Sequence, residues 1–203
     1  MVAAVLFFDL EAFSSRAASL GNENTLYVLN IIIPTMIEVA KRWNGEIEKN
    51  TGDGVMAIFG TETRNNFLIA RDAIEVAMAM RYVMLDVVNP LLVEKGLGGF
   101  NFSIGIDMDT VLIANIGTPA DHFLTVVGGA ANRASQLQGL AGSNEMFVGE
   151  NMHKNLHPKL YDYCEEQQHA SWRWRYPNSE ISYRFFKFTA DWPEPSAWLR
   201  TKF

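Results

Sequence analysis

Residues 48–60 read EKNTGDGVMAIFG. Gly52, Asp53 and Gly54 separate the strand-like EIEKN from the apolar run Val55 to Phe59, so the stretch reads as two short strands around a tight hairpin turn. An acidic residue between two glycines, at the mouth of an apolar strand, has little packing value. It raises the question of what Asp53 holds, and why Lys49 stands four positions before it.

On the N-terminal side, residues 2–8, VAAVLFF, form a continuous apolar run that fits a buried central strand and meets Asp9 at once. Ser14 to Gly21 read as a polar, small-residue break. NENTLYVLNIIIPTMIEVAKRW has helical spacing, with Asn22 or Asn24 available as a cap, Pro34 as a kink and Gly45 as the stop. Downstream, residues 65–95 read as a second long helix ending at Lys95-Gly96. FNFSIGIDMDTVLIANIG alternates as a strand pair turning near Asp107–Asp109. FLTVVGGAANRASQLQGLAG reads as a strand, a Gly-Gly break and a helix ended by Gly142. EMFVGENMHKNL reads as a strand and a helical turn, and residues 171–192 as aromatic, strand-like text. The order predicts one α+β domain over residues 1–203, with helices covering a mixed sheet.

The 203 residues suffice for one sizeable core, and 48% apolar with 20% charged residues is ordinary globular composition. A net charge of −6 argues against a general nucleic-acid binder. The only cysteine, Cys164, forms no intrachain disulfide, and a reducing, cytoplasmic setting is the expectation. MVAAVLFF lacks the basic region of a secretory leader. No uninterrupted apolar run reaches the roughly 20 residues that span a bilayer, so no membrane span is expected.

Asp9 and Asp53 each adjoin an apolar strand, so adjacent strands can bring the two carboxylates within a few ångströms. Like charges that close need a cation between them, or one takes up a proton. Hard divalent ions such as Mg²⁺ or Mn²⁺ prefer such oxygens, completed by substrate phosphates. Two ions roughly 4 Å apart would activate an attacking oxygen and neutralise a leaving one. Either aspartate alone could equally cap a turn.

Four blocks in order, FFDLEAFS, KNTGDGVMAIFG, IGIDMDTVLIANIG and VVGGAANRASQL, resemble the class III nucleotidyl cyclase catalytic domain, the adenylate/guanylate cyclase family. The motifs lie within residues 3–150, and 151–203 would extend the same domain. The resemblance implies a ferredoxin-like, palm-like mixed sheet covered by helices. It assigns Asp9 and Asp53 to two Mg or Mn ions, with the Leu10 carbonyl completing one shell. The turn Leu10 to Ser14, including Ala12 and Phe13, would offer backbone N–H groups to the phosphates. The ribose 3′-hydroxyl would attack the α-phosphorus in line and pyrophosphate would leave. Lys49 and Thr125 match the base-reading pair, and Asn132 matches the residue that orients the ribose. The active form would be a homodimer with both sites at the interface, one protomer supplying the metal aspartates and its partner the base reader and the ribose asparagine. The product would be sensed by a downstream effector.

This chain departs from that family in several places. Gln136 stands where a transition-state arginine is expected; a glutamine donates hydrogen bonds but brings no charge. Arg133, on the same predicted helix, is the proposed substitute. Asp107 and Asp109 replace the neutral residues of the family's GIHTG, and Ala12 replaces a glycine. The lysine hairpin that grips the triphosphate has no clear equivalent; Arg184 and Lys187 read more readily as strand-edge charges. No attached sensor domain is expected, because the resemblance starts at residue 3. The missing arginine, the absence of a sensor and the aromatic C-terminal text lean toward the stand-alone pyrimidine cyclases of the bacterial Pycsar antiphage type, which make cyclic UMP or cyclic CMP. Lys49 with Thr125 leans instead toward adenylate cyclase. A degenerate cyclase fold that binds nucleotide or a partner without turnover is a reading of another class. A diguanylate cyclase lacks support, since its Gly-Gly-Asp/Glu-Glu-Phe signature is absent.

Overall fold

The computed structural model describes residues 1–50, 52–62, 65–118, 121–176 and 178–192. In chain order the elements are β1 (Val2–Leu10), α1 (Phe13–Leu20), α2 (Asn22–Lys41), β2 (Glu46–Asn50), β3 (Gly54–Phe59), α3 (Asn66–Tyr82), α4 (Asn89–Glu94) and β4 (Phe102–Thr110). They continue as β5 (Leu112–Thr118), β6 (Asp121–Val127), α5 (Gly129–Leu140), β7 (Glu145–Gly149), α6 (Glu150–Lys154), β8 (Cys164–Gln167) and β9 (Phe185–Phe188). Seven strands form one mixed sheet in the order β2-β3-β1-β4-β7-β9-β8, in which β4 and β7 are parallel. β5 and β6 form a separate antiparallel arm. The α+β expectation holds.

β1 is central because both its faces are apolar. Leu6 and Phe8 point into the main core with Ile32 and Met36 of α2 and Ile69 and Ile74 of α3. Ala3 and Val5 point the other way, into a second core with Met56 and Ile58 of β3, Val126 of the arm, and Ala130, Ala131 and Ala134 of α5. One face of the sheet is therefore covered by α1 to α4, the other by α5 and the arm. Gly105 sets how closely α5 approaches: a Cβ there would collide with the Ala134 carbonyl and the Gln138 backbone nitrogen.

Local expectations fail where tertiary contacts win. The stretch Ser14 to Gly21 is not a break but most of α1, anchored by buried Phe13 and by Arg16. The guanidinium donates to the Leu97 and Gly99 carbonyls and lies 4.0 Å from the Phe100 ring centroid. No asparagine side chain caps α2, whose N-cap position is Gly21. Residues 66–94 form one rod whose middle, Val83–Val88, is π-helical. Pro90 has no N–H and crowds the carbonyl four residues back, and the widened turn relieves that clash. By composition this rod, Asn66–Glu94, is long and apolar enough to cross a bilayer. Its residues Ile69, Ala73, Ile74, Val76 and Met80 are nevertheless buried in the main core.

The strand pair turning near Asp107–Asp109 is corrected. β4 runs without interruption to Thr110, and β5 pairs with β6 rather than with β4. A buried aspartate is tolerated mid-strand there because Arg133 pairs with it. The aromatic C-terminal text yields only the short β9 in the sheet. Trp172, Tyr183 and Phe185 instead pack with Phe147 and with Leu137 of α5.

Candidate active site

β1 and β3 are antiparallel, with Asp9 directly opposite Gly54. The Leu10 N–H donates to the Asp53 carbonyl at 3.3 Å, which ties the hairpin turn to the end of β1. Asp9 and Asp53 therefore lie at the same end of the β1–β3 pair, both half-buried. Burial, and then the charge of Asp53, pushes the Asp9 carboxyl up from 3.8 to about 6. The Asp9 and Asp53 carboxylates, next to the Leu10 carbonyl, form an all-oxygen donor set suited to a hard divalent cation. Among the described residues no group of three or more His, Cys, Asp or Glu is gathered. The remaining ligands would thus come from the substrate and water, the usual pattern for Mg²⁺.

The turn after β1 leads straight into α1. Ala12, the residue before this helix, is left-handed at φ 52° and ψ 28°, a conformation glycine adopts freely and alanine at a cost. Its carbonyl accepts from the Arg16 N–H and the Ser15 hydroxyl. Phe13 is buried against Phe100, and Ser14 is exposed in the first turn. Ala12→Gly is expected to raise the unfolding free energy by about 0.5–1 kcal/mol, read as a higher urea midpoint. No stabilisation would mean the turn relaxes out of this conformation.

Lys49 pairs in register with Met56 across a shift that skips Glu48; its side chain lies outside the described residues. Thr125 sits half-buried on β6, opposite Ala114 of β5, and β6 touches β2. The two positions expected to read the base are thus on strands in contact.

Asn132 and Gln136 are exposed on α5, whereas Arg133 between them is buried. The Arg133 guanidinium pairs through Nε with Asp107 and through its terminal nitrogen with Asp109 at 2.7 Å. It also lies 4.5 Å from the Tyr183 ring centroid and 5.5 Å from that of Trp174. Burial raises the Asp107 carboxyl from 3.8 to about 6 even though the guanidinium beside it works the other way. Burial favours loss of the Arg133 proton, but Asp107 more than offsets this, and the arginine stays charged. The Tyr183 hydroxyl donates to Asp107 and accepts from the Asn151 N–H. Arg133 is thus committed within its own chain, and Gln136 is the α5 side chain that faces solvent at the arginine position.

Arg184 pairs with Glu150 and Glu166, and Lys187 with Glu145 at 2.6 Å. This is the strand-edge role expected of them. Sequence reasoning missed the partners of Arg133. The available signal was two new acids, Asp107 and Asp109, appearing together with an arginine, where the related pattern has neutral residues.

Asp9 registers with Ser103 of β4, whose hydroxyl accepts from the Gln138 amide of α5 at 2.7 Å, whereas Arg133 of α5 pairs with Asp107 and Asp109 further along the same strand.

The family model described as the adenylate and guanylate cyclase catalytic domain matches residues 2–172. A cytidylate cyclase of Escherichia coli is 29% identical over 167 residues, covering 78% of this chain and 36% of that protein. A uridylate cyclase of Burkholderia cepacia is 27% identical over 160 residues, covering 78% of this chain and 67% of that protein. The chain therefore spans about a third of the length of the first of these relatives. The crystal structure of the adenylyl cyclase CyaB from P. aeruginosa superposes with a TM-score of 0.80 at 21% identity, covering 94% of both chains.

Proposed function

Because the chain belongs to the adenylate and guanylate cyclase catalytic-domain family, we propose that it converts a pyrimidine nucleoside triphosphate, UTP or CTP, into the 3′,5′-cyclic monophosphate and pyrophosphate. The observation that carries this reading is the meeting of Asp9 and Asp53 at one end of the β1–β3 pair, beside the turn into α1. Two Mg or Mn ions held there by Asp9, Asp53 and the Leu10 carbonyl would supply charge neutralisation and acidify the attacking hydroxyl. The chain's own share is position and hydrogen bonding. Backbone N–H groups from Leu10 to Ser14 receive the phosphates, Asn132 orients the ribose, and Gln136 donates to the phosphate oxygens. The pyrimidine assignment is supported by relatives named cytidylate and uridylate cyclase, which match alongside an adenylate cyclase of Anabaena cylindrica, and by the uncharged Gln136.

Membership of this family supports an active homodimer in which each site takes Asp9 and Asp53 from one chain and α5 from the other. The β5–β6 arm carries exposed Leu112, Ile116 and Val127, which suit burial against a second copy. The cyclic nucleotide would act in the cytoplasm as a signal to an effector of antiphage defence. Adenylate cyclase is the second reading, favoured by Thr125 on the strand beside that of Lys49. The test is incubation of the purified protein with ATP, GTP, CTP or UTP separately, with Mn²⁺, and product identification by mass spectrometry. Cyclic UMP or cyclic CMP is expected. Cyclic AMP alone would overturn the pyrimidine assignment, and no cyclic product from any of the four would favour a fold without turnover.

A further inference from the structure

A glutamine helps a developing anion only if its amide nitrogen, rather than its oxygen, faces that anion. The Trp174 indole N–H donates to Gln136 Oε1 at 2.9 Å. An indole nitrogen can only donate, so it fixes the amide oxygen toward Trp174 and turns both amide N–H bonds away from it. We infer that Trp174 is a positioning residue for catalysis, which holds Gln136 as an oriented donor to the phosphates at the position where related domains carry an arginine. This rests on the cyclase reading above.

Trp174 is itself held in place. Its ring lies over the Arg133 guanidinium. Its carbonyl accepts from the Tyr183 N–H at 2.9 Å, and the Tyr183 hydroxyl is anchored on Asp107. The nearby Trp172 indole donates to the Tyr183 carbonyl. The acids that replace neutral residues in β4, the arginine beside Gln136 and the aromatic C-terminal segment thus serve one arrangement. Arg133 is paired with Asp107 and Asp109. Its buried charge supports the ring that aims Gln136.

Trp174→Phe keeps a ring on Arg133 and removes the N–H. It is expected to lower kcat roughly 10- to 100-fold, with KM for the triphosphate changed less than about 3-fold, since the lost alignment matters most in the transition state. The melting temperature should stay within a few degrees of wild type. Trp174→Phe with Gln136→Ala should be no slower than Gln136→Ala alone, because the two act as one unit. Gln136→Glu alters an exposed side chain and leaves the core intact. It should be slower than Gln136→Ala, because Trp174 would then aim an acceptor at an anion. Wild-type kcat in Trp174→Phe, additive losses in the double variant, or wild-type rates in Gln136→Glu would each overturn the inference and leave the cyclase reading standing. A wild-type protein that forms no cyclic nucleotide would remove both.

Discussion

Asp53→Ala is expected to lower cyclic nucleotide formation by at least about 10³-fold, roughly 4 kcal/mol of barrier, while the protein stays folded. Asp53 sits half-buried in the hairpin turn, so its truncation is expected to remove chemistry rather than packing. What remains is Asp9, whose carboxyl burial alone still holds above its ordinary range. A single carboxylate of that kind is a poor site for a divalent ion. The shared-site model adds a second readout. Asp53→Ala and Asn132→Ala lie in opposite halves of the proposed site. A mixture of the two inactive proteins should regain activity, because each mixed dimer holds one site with neither substitution. Product formation by liquid chromatography measures both effects. An active Asp53→Ala variant would contradict the metal assignment, and a mixture that stays dead would contradict the division of the site between chains.

The second large effect is on stability. Arg133→Ala strands the fully buried Asp107 without its cation and should cost about 3–5 kcal/mol in urea unfolding at pH 7. Arg133→Ala with Asp107→Asn should lose clearly less, since no uncompensated charge is then buried. The pH dependence has a defined sign. The folded-state value of Asp107 lies above its unfolded value, so its contribution to stability is complete below about 4 and falls as pH rises through about 6. The stability of wild type relative to Asp107→Asn should therefore decline from pH 4 to pH 7. In Arg133→Ala the same decline should be steeper, because the opposing guanidinium is gone. Equal losses in the single and double variants would mean that this pair is not what holds β4 to α5.

These two sites differ in how far they could be read from sequence. Asp9 and Asp53 were readable because each lies at a fixed offset from an apolar strand, and strand pairing converts those offsets into proximity. The central place of β1 followed from an apolar run with no polar alternation. The Arg133 network was not readable in this way. Its members come from β4, α5 and the segment before β9, and no local periodicity links Asp107 to Tyr183. A buried aspartate in mid-strand looks like a turn until its partner is known, which is why the strand was expected to end there. α1 was hidden for a similar reason. Its Ser and Ala residues carry little helical signal, and its stability comes from Phe13 and from Arg16 reaching the loop before β4. The Trp174–Gln136 contact joins residues far apart in the chain. The sequence showed only a missing arginine and an excess of aromatic residues, with nothing to connect them.

On the proposed function, Asp9 and Asp53 serve cyclisation of a pyrimidine nucleotide. This assignment is tested most directly by supplying ATP, GTP, CTP and UTP together at equal concentration and quantifying every cyclic product, since competition reads the ratios of kcat/KM. Cyclic UMP or cyclic CMP is expected as the dominant product, lost in Asp53→Ala. A dominant purine product, or a pyrimidine product that survives Asp53→Ala, would contradict it.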